Sequence, residues 1–155
     1  QELLVIPEAQ ISEEVMVIAG ADGRKMSKSY GNVIDIFLPE KKLRKQIMGI
    51  VTDSTPMEEP KDPDTCNAFA LYSLLANDNQ IAEMRQNYLG GNYGYGHAKQ
   101  ALFELVLEEF KDERARFDSL MENPAEIERL LQEGAKKAHS VADKVLARFK
   151  TAIGY

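Results

Sequence analysis

The apolar positions of this 155-residue chain change their period near residue 39. Before that point they come in short runs. Leu3 to Ile6 is one, and Val15 to Ala19, which reads VMVIA and ends at Gly20, is another. Short apolar runs with β-branched residues, bounded by turn chemistry, predict strands of the kind buried in an α/β sheet. Two strands cannot hold a sheet alone. The expectation is therefore that most of a sheet domain lies outside this chain, and a start at Gln1, directly before an apolar run, fits a piece of a longer protein.

From residue 39 the spacing becomes helical. Pro39 is placed to open a helix on which Leu43, Ile47 and Ile50 follow in register. Residues 51–63, VTDSTPMEEPKDP, read as a proline-broken acidic loop. Asp62-Pro63 predicts a cap and a first-turn proline for a helix to about Asn77, with Phe69, Leu71, Tyr72, Leu74 and Leu75 as its apolar positions. Asp78 is a second cap, and Gly90 a stop for Ile81 to Leu89. After the glycine-rich GGNYGYG, a long helix from about His97 to Met121 carries Leu102, Val106, Phe110, Phe117, Leu120 and Met121 on one stripe. Asn123-Pro124 repeats the cap-then-proline device. The last helix then places Ile127, Leu130, Leu131, Ala138, Val141, Val145, Leu146 and Phe149 at steps of three and four, with Lys136, Lys137, Lys144, Arg148 and Lys150 between them. The fold class predicted is mainly α, an antiparallel helical bundle over residues 39–155, preceded over residues 1–38 by a short strand-and-loop remnant of an α/β domain.

Composition adds limits. Hydrophobic residues make up 44% and charged residues 28%, a globular balance rather than a disordered one. Cys66 is the one cysteine, which excludes an internal disulfide and fits a reducing cytoplasm. No run suits a signal peptide or a membrane span. No Cys/His cluster has metal-ligand spacing, so no metal site is expected on the chain. Cys66, near Phe69, is expected to be a small buried apolar residue.

Charge changes the picture more. The net charge is −6, unevenly spread. Residues 22–50 carry seven bases against three acids, and residues 134–155 five against one. The stretch between them is acidic and reads as solvated helix faces. For the two basic zones, solvation and an anionic partner both remain open.

The first basic zone holds GRKMSKSYGN, Gly23 to Asn32, with Arg24, Lys25 and Lys28 inside five residues. Lysine is a compact charge on a flexible stem, and two of them three apart can close on a polyanion. Ser27 and Ser29 offer hydroxyl donors to phosphate oxygens. Asp22-Gly23 before and Gly31-Asn32 after let the backbone turn and move. The string predicts a mobile loop that grips phosphate, although neither the P-loop frame nor the dinucleotide-binding glycine pattern is present. A solvent-exposed basic turn, or a patch for non-specific nucleic-acid binding, is the simpler alternative.

KMSKS, Lys25 to Ser29, after Asp-Gly and before Gly-Asn, resembles the signature loop of the class I aminoacyl-tRNA synthetases. In that family the loop follows the last strand of a nucleotide-binding sheet and leads into a helical tRNA-binding region, the order found here. IMGIVTDS (47–54), YGYGHAK (93–99) and the final pattern of Leu130, Leu131, Gly134, Lys137, Ala138, Ala142, Leu146 and Arg148 before Ile153-Gly154 resemble the tryptophanyl-tRNA synthetases. The resemblance spans nearly the whole chain. It implies a Rossmann-like catalytic domain ending near residue 38 and an anticodon-binding-type helical domain over residues 39–155. It also implies ATP as substrate with Mg²⁺, tryptophan and tRNA(Trp) as partners, a homodimeric parent and a cytoplasmic setting. By position, Lys28 and Lys25 become the catalytic residues that neutralise the departing pyrophosphate. Lys25, Met26, Ser27, Lys28 and Ser29 become the ATP-binding loop, with Met26 packing it against the sheet. The loop's free form is expected to be disordered.

The HIGH-type motif of the family is absent, and His97 and His139 both lie in predicted helices. The chain is therefore expected to be inactive alone, the C-terminal part of its parent. For tRNA, Lys136, Lys137, Lys144 and Arg148 are candidate contacts, with the wet face of an amphipathic helix as the plain alternative. Tyr93 and Tyr95 can stack on bases or pack the turn, and Asp53 can cap a helix or contact the loop. A tyrosyl or other class I synthetase is the rival enzyme. A non-catalytic helical module that binds RNA or protein is the rival of another class, and leaves the KMSKS string unexplained.

Overall fold

The computed structural model describes residues 3–12 and 17–154. The chain falls into two compact units, Ser12–Ala115 and a second made of Gln1–Ile11 with Arg116–Tyr155.

Among the described residues the first unit holds four complete α-helices: α1 (Glu40–Met48), α2 (Asn67–Ser73), α3 (Asp78–Gly90) and α4 (Tyr95–Glu109). α1 and α2 both pack on α4, and α2 also meets α3. Pro39 opens α1 as its spacing predicts, its carbonyl accepting from the amides of Lys42 and Leu43 at 2.8 and 3.0 Å. Leu43 and Ile47 point inward from α1, Phe69 and Tyr72 from α2, Tyr88 from α3, and Leu102 and Val106 from α4. The packing does not break near residue 38. Ile34, Ile36 and Leu38 lie against the same core as Leu43.

Several expected boundaries move. α2 starts at Asn67 rather than at Pro63. The Asp62 carboxylate is spent on a tight turn instead of a helix, accepting from the Asp64 amide at 2.9 Å and the Thr65 hydroxyl at 3.1 Å. Cys66 is the buried N-cap of α2, with its Sγ 3.4 Å from the Tyr88 hydroxyl. At α3 the cap is Asn77, one residue earlier than expected, in a reciprocal capping box with Gln80. Gly90 is the last helical residue, and Gly91 takes the positive φ of +72° beyond it. The long helix predicted over residues 97–121 is two, α4 and α5 (Lys111–Glu122), separated by Phe110 at φ −103°, ψ 21°. Phe110 packs on the core, and Arg114 just beyond it donates to the Ile36 carbonyl, so the interruption falls where both flanks are anchored by side chains, while the amides of Phe110 and Arg114 keep their i→i−4 bonds.

The strand expectations are also corrected. Leu4, Val5 and Ile6 are exposed and in no ladder. Val15 and Met16 lie outside the described residues. Ala19 makes a single antiparallel bridge, to Lys25. Strands need neighbours to pair with, and beyond that bridge these have none among the described residues.

In the second unit α6 (Pro124–Ile153) begins as predicted, with the Asn123 side chain accepting from the Glu126 amide and Pro124 at the first position. It ends at Gly154, φ +85°, whose amide returns to Lys150 and Thr151. The apolar stripe is present but uncovered: no residue of α6 is buried, and Leu131, Val141 and Ile153 are each more than half exposed. Among the described residues no helix is long and apolar enough to cross a membrane.

Candidate functional site

The GRKMSKSYGN segment is folded by its own side chains. The chain turns back at Asp22-Gly23, with Gly23 at φ +81°, and backbone hydrogen bonds from Gly20 to Arg24 (2.7 Å) and from Met26 to Ile18 (2.8 Å) close the stem. Ser27 then caps a short 3₁₀ turn, Lys28–Tyr30, its Oγ accepting from the Ser29 amide at 3.2 Å. Gly31, left-handed at φ +66°, ends the turn with its amide on the Lys28 carbonyl. Glycine suits both positive-φ positions because it carries no Cβ.

The three cations of the string divide into two kinds. Arg24 is committed: its Nε and Nη2 reach Asp22 Oδ2 at 2.7 and 2.6 Å, and its guanidinium lies 4.8 Å from the centre of the Tyr30 ring. Asp22 also accepts from the Arg24 amide at 3.0 Å and from Asn32 Nδ2 at 2.7 Å. The Asn32 hydrogen bond first, then those to Arg24, hold its carboxyl at about 2. Lys25 and Lys28 are exposed, and among the described residues neither ammonium has an ion-pair or hydrogen-bond partner. Lys28 borders an open cleft of about 740 Å³ lined also by Gly31, Val33, Asp35 and Gln46. Ser29 is exposed, Ser27 is half-buried, and Met26 packs on the helical core rather than on a sheet. The loop expected to be free and glycine-hinged is thus tied through side chains along its length.

By its sequence Asn32 belongs to turn chemistry, yet it is buried at the centre of the loop. Two further ties join the loop to the helical region. The Val51 amide donates to the Ala21 carbonyl at 2.8 Å, and Asn67 Nδ2 donates to the Val51 carbonyl at 3.1 Å. Nothing in the spacing of residues 21, 51 and 67 announces this contact.

Asp53 supports the helical side. Its Oδ1 accepts from the Thr55 amide and from the Tyr95 hydroxyl, both at 2.8 Å. The bonds to Thr55 first, then Tyr95, hold its pKa low, while burial and then Asp53 push Tyr95 up to about 12. Tyr93 and Tyr95 are half-buried and pack around Tyr88, with ring centres 5.8 and 6.1 Å away. Packing is therefore their role in this arrangement. His97 accepts from the Gly94 amide through Nδ1 at 3.2 Å and so caps α4. Lys61, 3% exposed, donates to the carbonyls of Pro56, Met57 and Glu59 and holds the acidic loop in place.

In the second unit, Lys136, Lys137, Lys144 and Arg148 are exposed on α6. Arg148 donates to the Leu3 carbonyl at 2.7 Å. His139 is exposed, 3.4 Å from Asp143. Among the described residues no three His, Cys, Asp or Glu groups come together as metal ligands.

Comparison with known proteins agrees with this arrangement. The family model of tRNA synthetases class I (W and Y) matches residues 2–111. The tryptophan–tRNA ligase of Campylobacter jejuni is 44% identical over 153 residues, which cover 99% of this chain and 48% of that protein. The tryptophan–tRNA ligase of Pseudomonas aeruginosa is 45% identical over 154 residues, 99% of this chain and 34% of the relative. The crystal structure of the Campylobacter jejuni tryptophanyl-tRNA synthetase complexed with ADP and tryptophan superposes with a TM-score of 0.87, at 44% identity over 99% of this chain and 48% of that one. The chain spans about half the length, or less, of the curated relatives it matches.

Proposed function

We propose that this chain, which belongs to the family of tRNA synthetases class I (W and Y), is the C-terminal part of a tryptophan–tRNA ligase and supplies its pyrophosphate-binding loop. The observation that carries the reading is the pair Lys25 and Lys28, two uncommitted ammonium groups on a backbone held by side chains, beside an arginine neutralised from within. Free cations on a held loop suit a polyanion whose charge appears only during reaction. Residues 1–38 would close the catalytic domain, and residues 39–155 would form the tRNA-binding helical domain.

In this reading a tryptophan carboxylate oxygen attacks the α-phosphorus of ATP. The bond from that phosphorus to the bridging oxygen breaks, and pyrophosphate leaves with the electron pair. Negative charge grows on the departing oxygens, where Lys28, assisted by Lys25, meets it. An interaction stronger in the transition state than before it lowers the barrier. Ser29 and the backbone of residues 25–29 position the phosphates, and Met26 anchors the loop in the core. Magnesium would come with the nucleotide: Asp22 is engaged with Arg24 and Asn32, and Asp35, on the cleft that Lys28 borders, accepts from the Phe37 amide. The parent is a cytoplasmic homodimer in this reading, with tRNA(Trp) as its second substrate and the exposed cations of α6 as candidate contacts.

Amino-acid-dependent ATP–pyrophosphate exchange by the full-length protein tests the proposal. Exchange with tryptophan that collapses in Lys28→Ala is the expected result. Exchange with tyrosine instead would keep the chemistry and change the substrate, which a family spanning both amino acids permits; the tryptophan–tRNA ligases among the relatives favour tryptophan. No exchange from a folded protein, together with salt-sensitive tRNA binding indifferent to ATP, would leave a helical RNA-binding module. The isolated chain is expected to form no tryptophanyl adenylate.

A further inference from the structure

The backbone of the lysine loop converges on one side chain, that of Asn32. It is 4% exposed, and a carboxamide buried that far costs free energy unless its donors and acceptor are met. All are met, and every partner lies in the loop. Nδ2 donates to Asp22 Oδ1 at 2.7 Å and to the Lys25 carbonyl at 3.1 Å, while Oδ1 accepts from the Ser27 amide at 2.8 Å. The main chain of Asn32 adds a fourth tie, its carbonyl accepting from the Ala21 amide at 2.9 Å.

Two of these partners, the Lys25 carbonyl and the Ser27 amide, flank Met26. One carboxamide therefore holds the two peptide units on either side of Met26, joining the stem, which the Met26 amide closes on Ile18, to the 3₁₀ turn that Ser27 caps. Few side chains can do this. The task needs two donated hydrogen bonds and one accepted from a single short side chain. Asp22 sets which way the carboxamide faces, because its carboxylate accepts only from the nitrogen end. The approach is close as well: a Cβ at Gly20 would fall 2.4 Å from the Asn32 carboxamide, so a glycine at residue 20 is what leaves this group its place.

We propose that Asn32 is the positioning residue of the loop, holding the Lys25–Ser27 backbone so that the ammonium groups of Lys25 and Lys28 meet the departing pyrophosphate. It touches no substrate and acts through the two lysines. The inference rests on the function proposed above and adds to it a residue outside the five-residue signature.

The test is pyrophosphate exchange by the full-length protein carrying Asn32→Ala, Asn32→Asp, or Asp22→Asn with Asn32→Asp, next to the wild type. Misplacement of reacting groups by about 1 Å can cost on the order of 10²-fold in rate. Asn32→Ala is expected to lower kcat for exchange about 10- to 100-fold while the KM for tryptophan changes little. Asn32→Asp removes both donations and sets a second carboxylate against Asp22, so it should fall at least as far. The paired exchange puts a donor opposite an acceptor again and should recover part of that loss, a rescue that a general packing role would not produce. Hydrogen exchange of the Ser27 amide, measured on the same proteins, should be faster in Asn32→Ala. Wild-type kcat in Asn32→Ala, or a folded double variant no better than Asn32→Asp, overturns the inference. A folded wild type without amino-acid-dependent exchange removes the proposed function and this role with it. In that case a slow Ser27 amide, quickened by Asn32→Ala, would still locate the failure in the chemistry rather than in the clasp.

Discussion

Residues 12–115 and helix α6 each carry a cluster of cations and a set of apolar positions at helical spacing, and the two regions treat them differently. Within residues 12–115 the apolar positions close into a core, with Leu43, Ile47 and Tyr88 fully buried. On α6 the stripe keeps its register, yet no residue of the helix is buried. The cations differ in the same way. In the loop, Asp22 neutralises Arg24, and Asn32 fixes the backbone that presents Lys25 and Lys28. On α6, Arg129 is tied to Glu126 and Glu133 at 2.6 and 2.5 Å, while Lys136, Lys137 and Lys144 stand exposed on the helix with no ion-pair partner among the described residues. Amphipathic spacing and local positive charge are thus shared by a loop held by its own side chains and by an open helix face. What separates them is the set of hydrogen bonds that spends some charges and positions others.

The largest effect that separates the regions should be on stability. Leu43→Ala removes a fully buried side chain and is expected to cost about 2–5 kcal/mol. Leu131→Ala, on the uncovered stripe of α6, should change stability by less than about 0.5 kcal/mol. Denaturant unfolding of the two variants measures both. A destabilisation of similar size at Leu131 would mean that the α6 stripe is covered in solution, and the comparison would fail there.

Next comes the chemistry. Lys28→Ala in the full-length protein should lower tryptophan-dependent exchange by about 10²-fold or more. Lys144→Ala should leave exchange unchanged, because its charge lies on no held loop. Arg24→Ala sharpens the contrast inside the loop. If Arg24 is spent on Asp22 and Tyr30, its removal should cost less than that of Lys28. An Arg24 variant as damaged as Lys28→Ala would show that the third cation also reaches substrate.

A smaller effect is expected on tRNA. Neutralising Lys136, Lys137 and Lys144 together should weaken tRNA binding and flatten its salt dependence, by about 0.7–0.9 in log–log slope for each phosphate left without its lysine. Exchange without tRNA should be untouched. A binding curve with the wild-type affinity and salt slope would assign these lysines to solvation alone.

How much of this the sequence shows depends on how local the cause is. Pro39, Asn77 and Asn123-Pro124 act on the residues beside them, so helix starts are legible to within a residue or so. The start of α2 is not, because Asp62 has two local uses and the turn to Thr65 takes it. The break at Phe110 lies beside a contact with a distant partner, the Ile36 carbonyl met by Arg114, which no local pattern announces. The strands expected near the N-terminus follow from a pattern that assumes neighbours. In the site, the cations and glycines are visible as letters. The burial of Asn32 is not, since it follows from the chain folding back over ten residues onto Asp22. Lys61 inverts a sequence rule outright: a lysine in an acidic, proline-broken loop reads as solvated, and three carbonyls bury it.

The smallest expected effect is also the most local. Each region has a carboxylate held low by an arginine or amide partner, Asp22 in the loop and Glu126 at the start of α6. For Asp22 the folded value is about 2 against an ordinary 3.8. A depressed carboxyl binds its proton less readily in the folded state than in the unfolded one. Its contribution to stability is therefore complete above about pH 4, shrinks as the pH falls from 3.8 toward 2, and is gone below that. The Arg24 amide, which donates to the same carboxylate, should lose protection from hydrogen exchange over that window, once the intrinsic pH dependence is subtracted. In Asp22→Asn this pH dependence should vanish, with lower protection at every pH. The Glu126 carboxylate lies on a helix face against the Arg129 guanidinium, so its protonation should disturb only the first turn of α6. If acid opens both places equally, the loop is held no better than a helix end, and the clasp around Asn32 is not what positions its lysines.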